Sequence, residues 1–132
     1  MAWSTPVTHS TGDVVTASDW NIGSADLSYL YGDTGWTAVT TFTNSWVAEY
    51  SQPPTYRRMG NLVMLVGYIG GGTAAAAAFT LPSGYRPTYN WEFAAPAASS
   101  TTFIDVIIGT SGTVTPHVTS GGLSVCTVFP IV

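Results

Sequence analysis

Lysine is absent from this 132-residue chain, whose only full cations are Arg57, Arg58 and Arg86. Charged residues of either sign make up 8% of it, against about 25% in an ordinary soluble domain. Seven acids bring the formal net charge to -4. A nucleic-acid partner is excluded, because phosphate contacts need clustered Lys and Arg. An acidic disordered tail is excluded as well, since charge is too sparse and aromatic residues reach 13%. Cys126 is the lone cysteine, so no intrachain disulfide is possible. It sits in an alternating run, residues 123–129, and is expected to be a small buried hydrophobe. Long apolar runs are missing too. The longest, residues 62–69, holds eight residues including Gly67, whereas a membrane helix needs about 20. The first six residues combine no positive region with an apolar block, so they read as no signal peptide, and synthesis in a cytoplasm is expected.

Patterns for chemistry are equally sparse. The histidines are His9 and His117, with no H-x-x-x-H or C-x-x-C pair to hold zinc. A serine hydrolase would need one of them beside Asp105 and a serine, yet no G-x-S-x-G occurs. Glu49 and Glu92 both lie among aromatics and are the one pair suited to sugar hydrolysis, if about 5–9 Å apart. Acids on alternating strands more often face solvent. Asp13, Asp19, Asp26 and Asp33 lack the spacing of a calcium loop, and turn or cap roles account for Asp13, Asp19 and Asp33. Residues 70–73 lack the G-K-S/T of a phosphate loop. The sequence therefore points to no cofactor and no metal, and away from an enzyme.

What the chain has is hydroxyl, glycine and aromatic surface: twenty Thr, thirteen Ser, 14 Gly and 8 Pro, with 45% apolar residues. Such a coat suits β-structure packed in an assembly better than a lone, highly soluble enzyme. The chain divides near Gly35. Residues 1–35 carry four of the seven acids and no cation other than His9. Residues 1–15 read as an extended arm. Thr16 and Asp19 have the spacing of a capping box and open a helix that Gly32 can end. Trp20, Leu27 and Tyr31 fall near one helix face with Leu30 beside them. A helix of about 15 residues is marginal alone, so it needs a partner surface.

Residues 36–132 read as short strands between turns. Strands are expected over 36–42, 46–50, 62–69, 89–95, 102–108 and 123–129, with 62–69 a central buried strand, residues 56–61 a strand end and turn, and residues 109–112 a hairpin turn. The alanine-rich segment 73–81 is read as a strand with a narrow face, although five alanines also favour helix. Pro116 inside 114–118 marks that strand as an edge. The three arginines are expected to pair with Glu49, Glu92 or Asp105, or with a neighbouring chain. The fold class is mainly β, a jelly-roll-like β-sandwich behind a short N-terminal arm and helix.

Three motifs carry a resemblance. Gly12-Asp13-Val14-Val15-Thr16-Ala17-Ser18-Asp19-Trp20-Asn21 resembles the G-(E/D)-x-(V/L)-T-A-x-x-(L/W/F)-N opening of structural proteins of tailed bacteriophages, especially those of actinobacteria. Residues 56–67, with Tyr56-Arg57-Arg58-Met59-Gly60, resemble their Y-R-(K/R)-x-G-x-x-V-x-L-x-G strand pair. Leu81-Pro82-Ser83-Gly84-Tyr85-Arg86-Pro87 is similar to their L-P-x-G-Y-R-P turn. The resemblance implies a virion surface protein synthesised in the host cytoplasm: a homotrimeric capsid decoration, minor capsid or head-fibre protein. The arm and helix would attach it to the major capsid protein or another virion protein, through Trp3, Val14, Trp20, Leu27 and Leu30. Ala74, Ala76 and Ala78 would let three copies approach closely around an axis. The alternative is a tail-fibre or tail-tip protein that binds a receptor or host-surface glycan.

Overall fold

The computed structural model describes residue 8 and residues 10–30, 32–98, 100–117 and 122–131; the side chains of residues 26 and 28–30 lie outside the description. Among the described residues one helix precedes eleven short strands. They are α1 (Ala17–Leu30), β1 (Thr37–Ala38), β2 (Val47–Ala48), β3 (Thr55–Met59), β4 (Leu62–Val66) and β5 (Tyr68–Gly70). After these come β6 (Phe79–Thr80), β7 (Trp91–Pro96), β8 (Phe103–Ile108), β9 (Thr113–Pro116), β10 (Leu123–Ser124) and β11 (Thr127–Pro130).

The capping box forms as its spacing requires. Asp19 N–H donates to Thr16 Oγ1 (3.3 Å), and Thr16 N–H donates back to Asp19 Oδ2 (2.8 Å). These bonds satisfy donors that the first helical turn leaves without partners.

The strands make a mainly-β sandwich. One layer is the sheet β1-β3-β4-β11, continued by the ribbon β10-β5-β2. The continuation is physical, because β4 and β5 are one run of chain interrupted only at Gly67. Gly67 has φ 138°, and a Cβ there would lie 2.5 Å from Pro54 Cα, so only glycine fits. Opposite it, residues 125 and 126 break β10 from β11, and Val125 N–H bridges the break to Gly67 O (2.9 Å). The other layer is the sheet β6-β9-β8-β7. The layers meet at a corner where Ala97 pairs with Leu123 and Ala98 N–H donates to Gly122 O (2.8 Å).

Period-two alternation decides the core. Val63, Leu65 and Phe129 face inward from the first layer, and Ile104, Val106, Ile108 and Val114 from the second. Trp46, 2% exposed, plugs the core beside the ribbon, with its indole N–H donated to Thr73 O (3.1 Å). That bond lets a large amphipathic ring be buried without an orphaned donor.

Several expectations are corrected. Segment 73–81 is a strand only at Phe79–Thr80; before it the chain turns, with Ala75 at φ 56°. Alanine has no branched or aromatic surface to hold a strand, so the run follows its hydrogen bonds instead. Ala75 N–H donates to Pro116 O (2.8 Å) and Ala78 N–H to Val114 O (2.7 Å). β9 is accordingly not an edge. It lies between β6 and β8, and Pro116 faces the alanine turn where β6 has already ended. Cys126 is exposed. Val125 takes the inward position, which leaves its neighbour outside, where Cys126 Sγ accepts a bond from Ser124 Oγ (3.0 Å). The arginines find other partners than those expected. Arg57 pairs with Asp33, Arg58 donates to Gly60 O (2.7 Å) and Arg86 to Leu81 O (2.9 Å).

Candidate functional site

The segment after the helix is laced to the sandwich. Asp33 bridges to Met59, Gly60 N–H donates to Gly32 O (3.1 Å), and Thr34 N–H donates to Arg58 O (3.0 Å). Residues 32–38 thus run along the open edge of β3, and the ties cross the boundary read near Gly35. Asp33 takes the Arg57 guanidinium with both oxygens, Nε at 2.7 Å from Oδ1 and Nη2 on Oδ2. Bidentate geometry fixes orientation as well as charge. The hydrogen bond from Arg57, then that from Gly35 N–H, hold the Asp33 carboxyl below its ordinary 3.8, and the same pairing raises Arg57. The Arg57 guanidinium also lies 5.6 Å over the Trp36 ring.

N-terminal to this anchor, three large apolar side chains stand exposed. Val14 is 81% exposed, Trp20 76% and Leu27 56%. Trp20 and Leu27 are seven residues apart and share a face. Gly23 lies between them, and with Asp19 and Ser24 they border a hollow of about 250 Å³. A missing side chain flanked by two large ones is a hole that a partner's side chain can fill. Of the other attachment candidates, Trp3 and the Leu30 side chain lie outside the described residues, as does Tyr31.

A second bare face lies on the first layer. Residues 62–66 are apolar at every position, a pattern typical of strands covered on both faces. Only one face is fully buried among the described residues, the outer one being exposed at Leu62 and half-buried at Met64 and Val66. The register places Leu62 between Met59 and Pro130, and Met64 between Arg57 and Val128, on the outer side. Met59, Leu62 and Val128 are each about half exposed. Sequence reading treated this run as a buried central strand. Its unbroken hydrophobicity was the signal that the outer face also seeks cover. The alanine stripe cannot play that part as drawn. Ala78 is fully buried in its own chain, while Ala74 is exposed and Ala76 half-buried on a turn.

Of the residues weighed for catalysis, Glu92 and Asp105 border one open hollow of about 550 Å³, and Glu49 is not among its described lining residues. Glu49 follows β2 and lies half-buried in the first layer, whereas Glu92 is exposed on β7 in the second. His117 Nδ1 does lie 2.8 Å from Asp105 Oδ2 on the outer face of β8 and β9, both about two-fifths exposed. No bond from a serine hydroxyl to His117 is seen among the described residues. His9 lies outside them. Among the described residues no cluster of three or more His, Cys, Asp or Glu is placed to hold a metal ion, and no helix is long and apolar enough to cross a membrane.

Sequence reading missed one further feature. Residues 49–52 form a tight turn closed by Gln52 N–H to Glu49 O (3.0 Å), with Tyr50 and Ser51 at φ 53° and 54°. Paired left-handed residues define a type I′ turn, which ordinarily takes Asn, Asp or Gly. A bulky aromatic there is an outlier with a strain of about 1–3 kcal/mol. Only the adjacent Pro53-Pro54 gave a hint of a turn in the sequence. No protein-family model matches the chain, and comparison with curated proteins finds no similar one.

Proposed function

We propose that this chain is a bacteriophage virion surface structural protein: a capsid decoration or head-fibre protein whose N-terminal segment attaches a β-sandwich to a neighbouring virion protein. The observation that carries the reading is the exposed apolar series of Val14, just before a capped helix, and Trp20 and Leu27 on it, with the ties to the folded domain beginning at Gly32 among the described residues. Each such side chain contributes about 1.5–3 kcal/mol when fully covered, and left in water it contributes nothing. The attaching region carries acids without Lys or Arg, so the surface that receives it is basic or neutral. The ordered phage-like motifs supply the virion context, and the nearly uncharged, hydroxyl-rich coat fits a protein that stays put once assembled.

Self-association belongs to the same proposal. The outer face of β3, β4 and β11, with Met59, Leu62, Met64 and Val128, replaces the alanine stripe as the surface on which copies meet. The test is incorporation. Particles grown from the encoding genome should carry the full chain, and should lose it when residues 1–30 are deleted although the remainder folds. Undiminished incorporation of the truncated protein overturns the attachment reading.

A further inference from the structure

We infer that the strained turn at Tyr50 is a binding site for an uncharged pyranose, built into the sandwich independently of how the N-terminal segment is attached. Tyr50, Gln52, Tyr68 and Ala98 line an open hollow of about 330 Å³. The rings of Tyr50 and Tyr68 are 5.5 Å apart at 79°, so they form two nearly perpendicular walls. Such a corner offers a flat aromatic surface for the C–H face of a sugar ring, with phenol hydroxyls nearby for its hydroxyls. The Gln52 amide adds both a donor and an acceptor. The described lining residues carry no formal charge, which favours neutral hexoses and N-acetylhexosamines over charged ligands.

The surroundings hold Tyr50 in place at a cost to the backbone. Both central residues of its turn are left-handed without being glycine. Gly122 is buried beneath the ring, where a Cβ would meet Tyr50 Cε2 at 2.7 Å. The ring is nevertheless 52% exposed, so it does not fill the core. Backbone strain that presents an exposed side chain, rather than burying it, is characteristic of positions kept for binding.

The test uses the full-length protein and a panel of methyl glycosides: glucose, galactose, mannose, N-acetylglucosamine and N-acetylgalactosamine, with N-acetylneuraminic acid as the charged comparison. Saturation-transfer NMR reads binding, and amide shifts locate it. At least one neutral glycoside should bind saturably and shift residues 50, 52, 68 and 98, while the acid does not. Tyr50→Asn keeps a side chain that tolerates the left-handed turn. It should retain or raise the melting temperature yet weaken binding at least tenfold, and Gln52→Ala should weaken it several-fold. Phe103→Ala, on the opposite layer, should bind as the wild type does. No saturable binding across the panel, binding unchanged in Tyr50→Asn, or a lowered melting temperature in that variant would each overturn the inference. None of these outcomes touches attachment through residues 1–30.

Discussion

At the scale of single residues, the fold rests on a few close approaches that no neighbouring sequence announces. Gly67 is one of them. Its positive φ and the Pro54 backbone 2.5 Å from any added Cβ act together. Gly67→Ala should therefore destabilise the sandwich by about 2 kcal/mol or more, read as a lower urea midpoint at unchanged slope. The Asp33–Arg57 pair gives a pH signature. Because the folded carboxyl titrates below 3.8, its contribution is complete above that value and fades as pH falls through the lower folded one. Asp33→Asn should melt lower than wild type at neutral pH, and the difference should vanish on acidification. Tyr56 behaves oppositely, since burial and then Tyr85 raise it above 10.0. Its contribution holds below 10.0 and is lost as pH climbs through the raised value. Residue-level reading of the sequence succeeded where chemistry is local, as with Thr16 and Asp19. It failed where the third dimension decides: Cys126 is turned outward because Val125 is turned in, and Asp33 reaches Arg57 across 24 positions.

At the scale of elements, hydrophobic alternation made most strands legible, and turn residues placed the hairpins at Gly60 and at residues 109–112. Strand length was less legible. Residues 36–42 and 46–50 yield only β1 and β2, because Trp46 dives into the core and the turns at residues 44–45 and 50–51 interrupt pairing. The alanine run misled because its conformation is set by Val114 and Pro116, not by its own side chains. The start of the helix was legible in its capping box, whereas what covers Trp20 and Leu27 was not. Trp20→Ser with Leu27→Ser should leave the urea midpoint of the isolated protein within about 0.5 kcal/mol of wild type, since exposed surface positions carry little stability. The same pair should abolish joining to a particle. Circular dichroism on residues 31–132 should show an intact β-spectrum with a cooperative melt, because the ties to β3 begin at Gly32.

At the scale of the whole molecule, two faces expose large apolar side chains among the described residues. One is the helix face of Trp20 and Leu27, and the other is the outer side of β3, β4 and β11. Leu62→Asp with Val128→Asp places charge on the second face without entering the core. Light scattering should show the wild type as a trimer and this variant as a monomer, whereas a monomeric wild type would remove the assigned role of that face. The most direct measurement is a cryo-electron microscopy map of particles assembled with the chain, subtracted from particles assembled without it. The account predicts extra density on the virion exterior, shaped as a β-sandwich, joined to the particle through a short helix bearing Trp20 and Leu27. Identical maps, or density joined through the sandwich with the helix free in solvent, would contradict it.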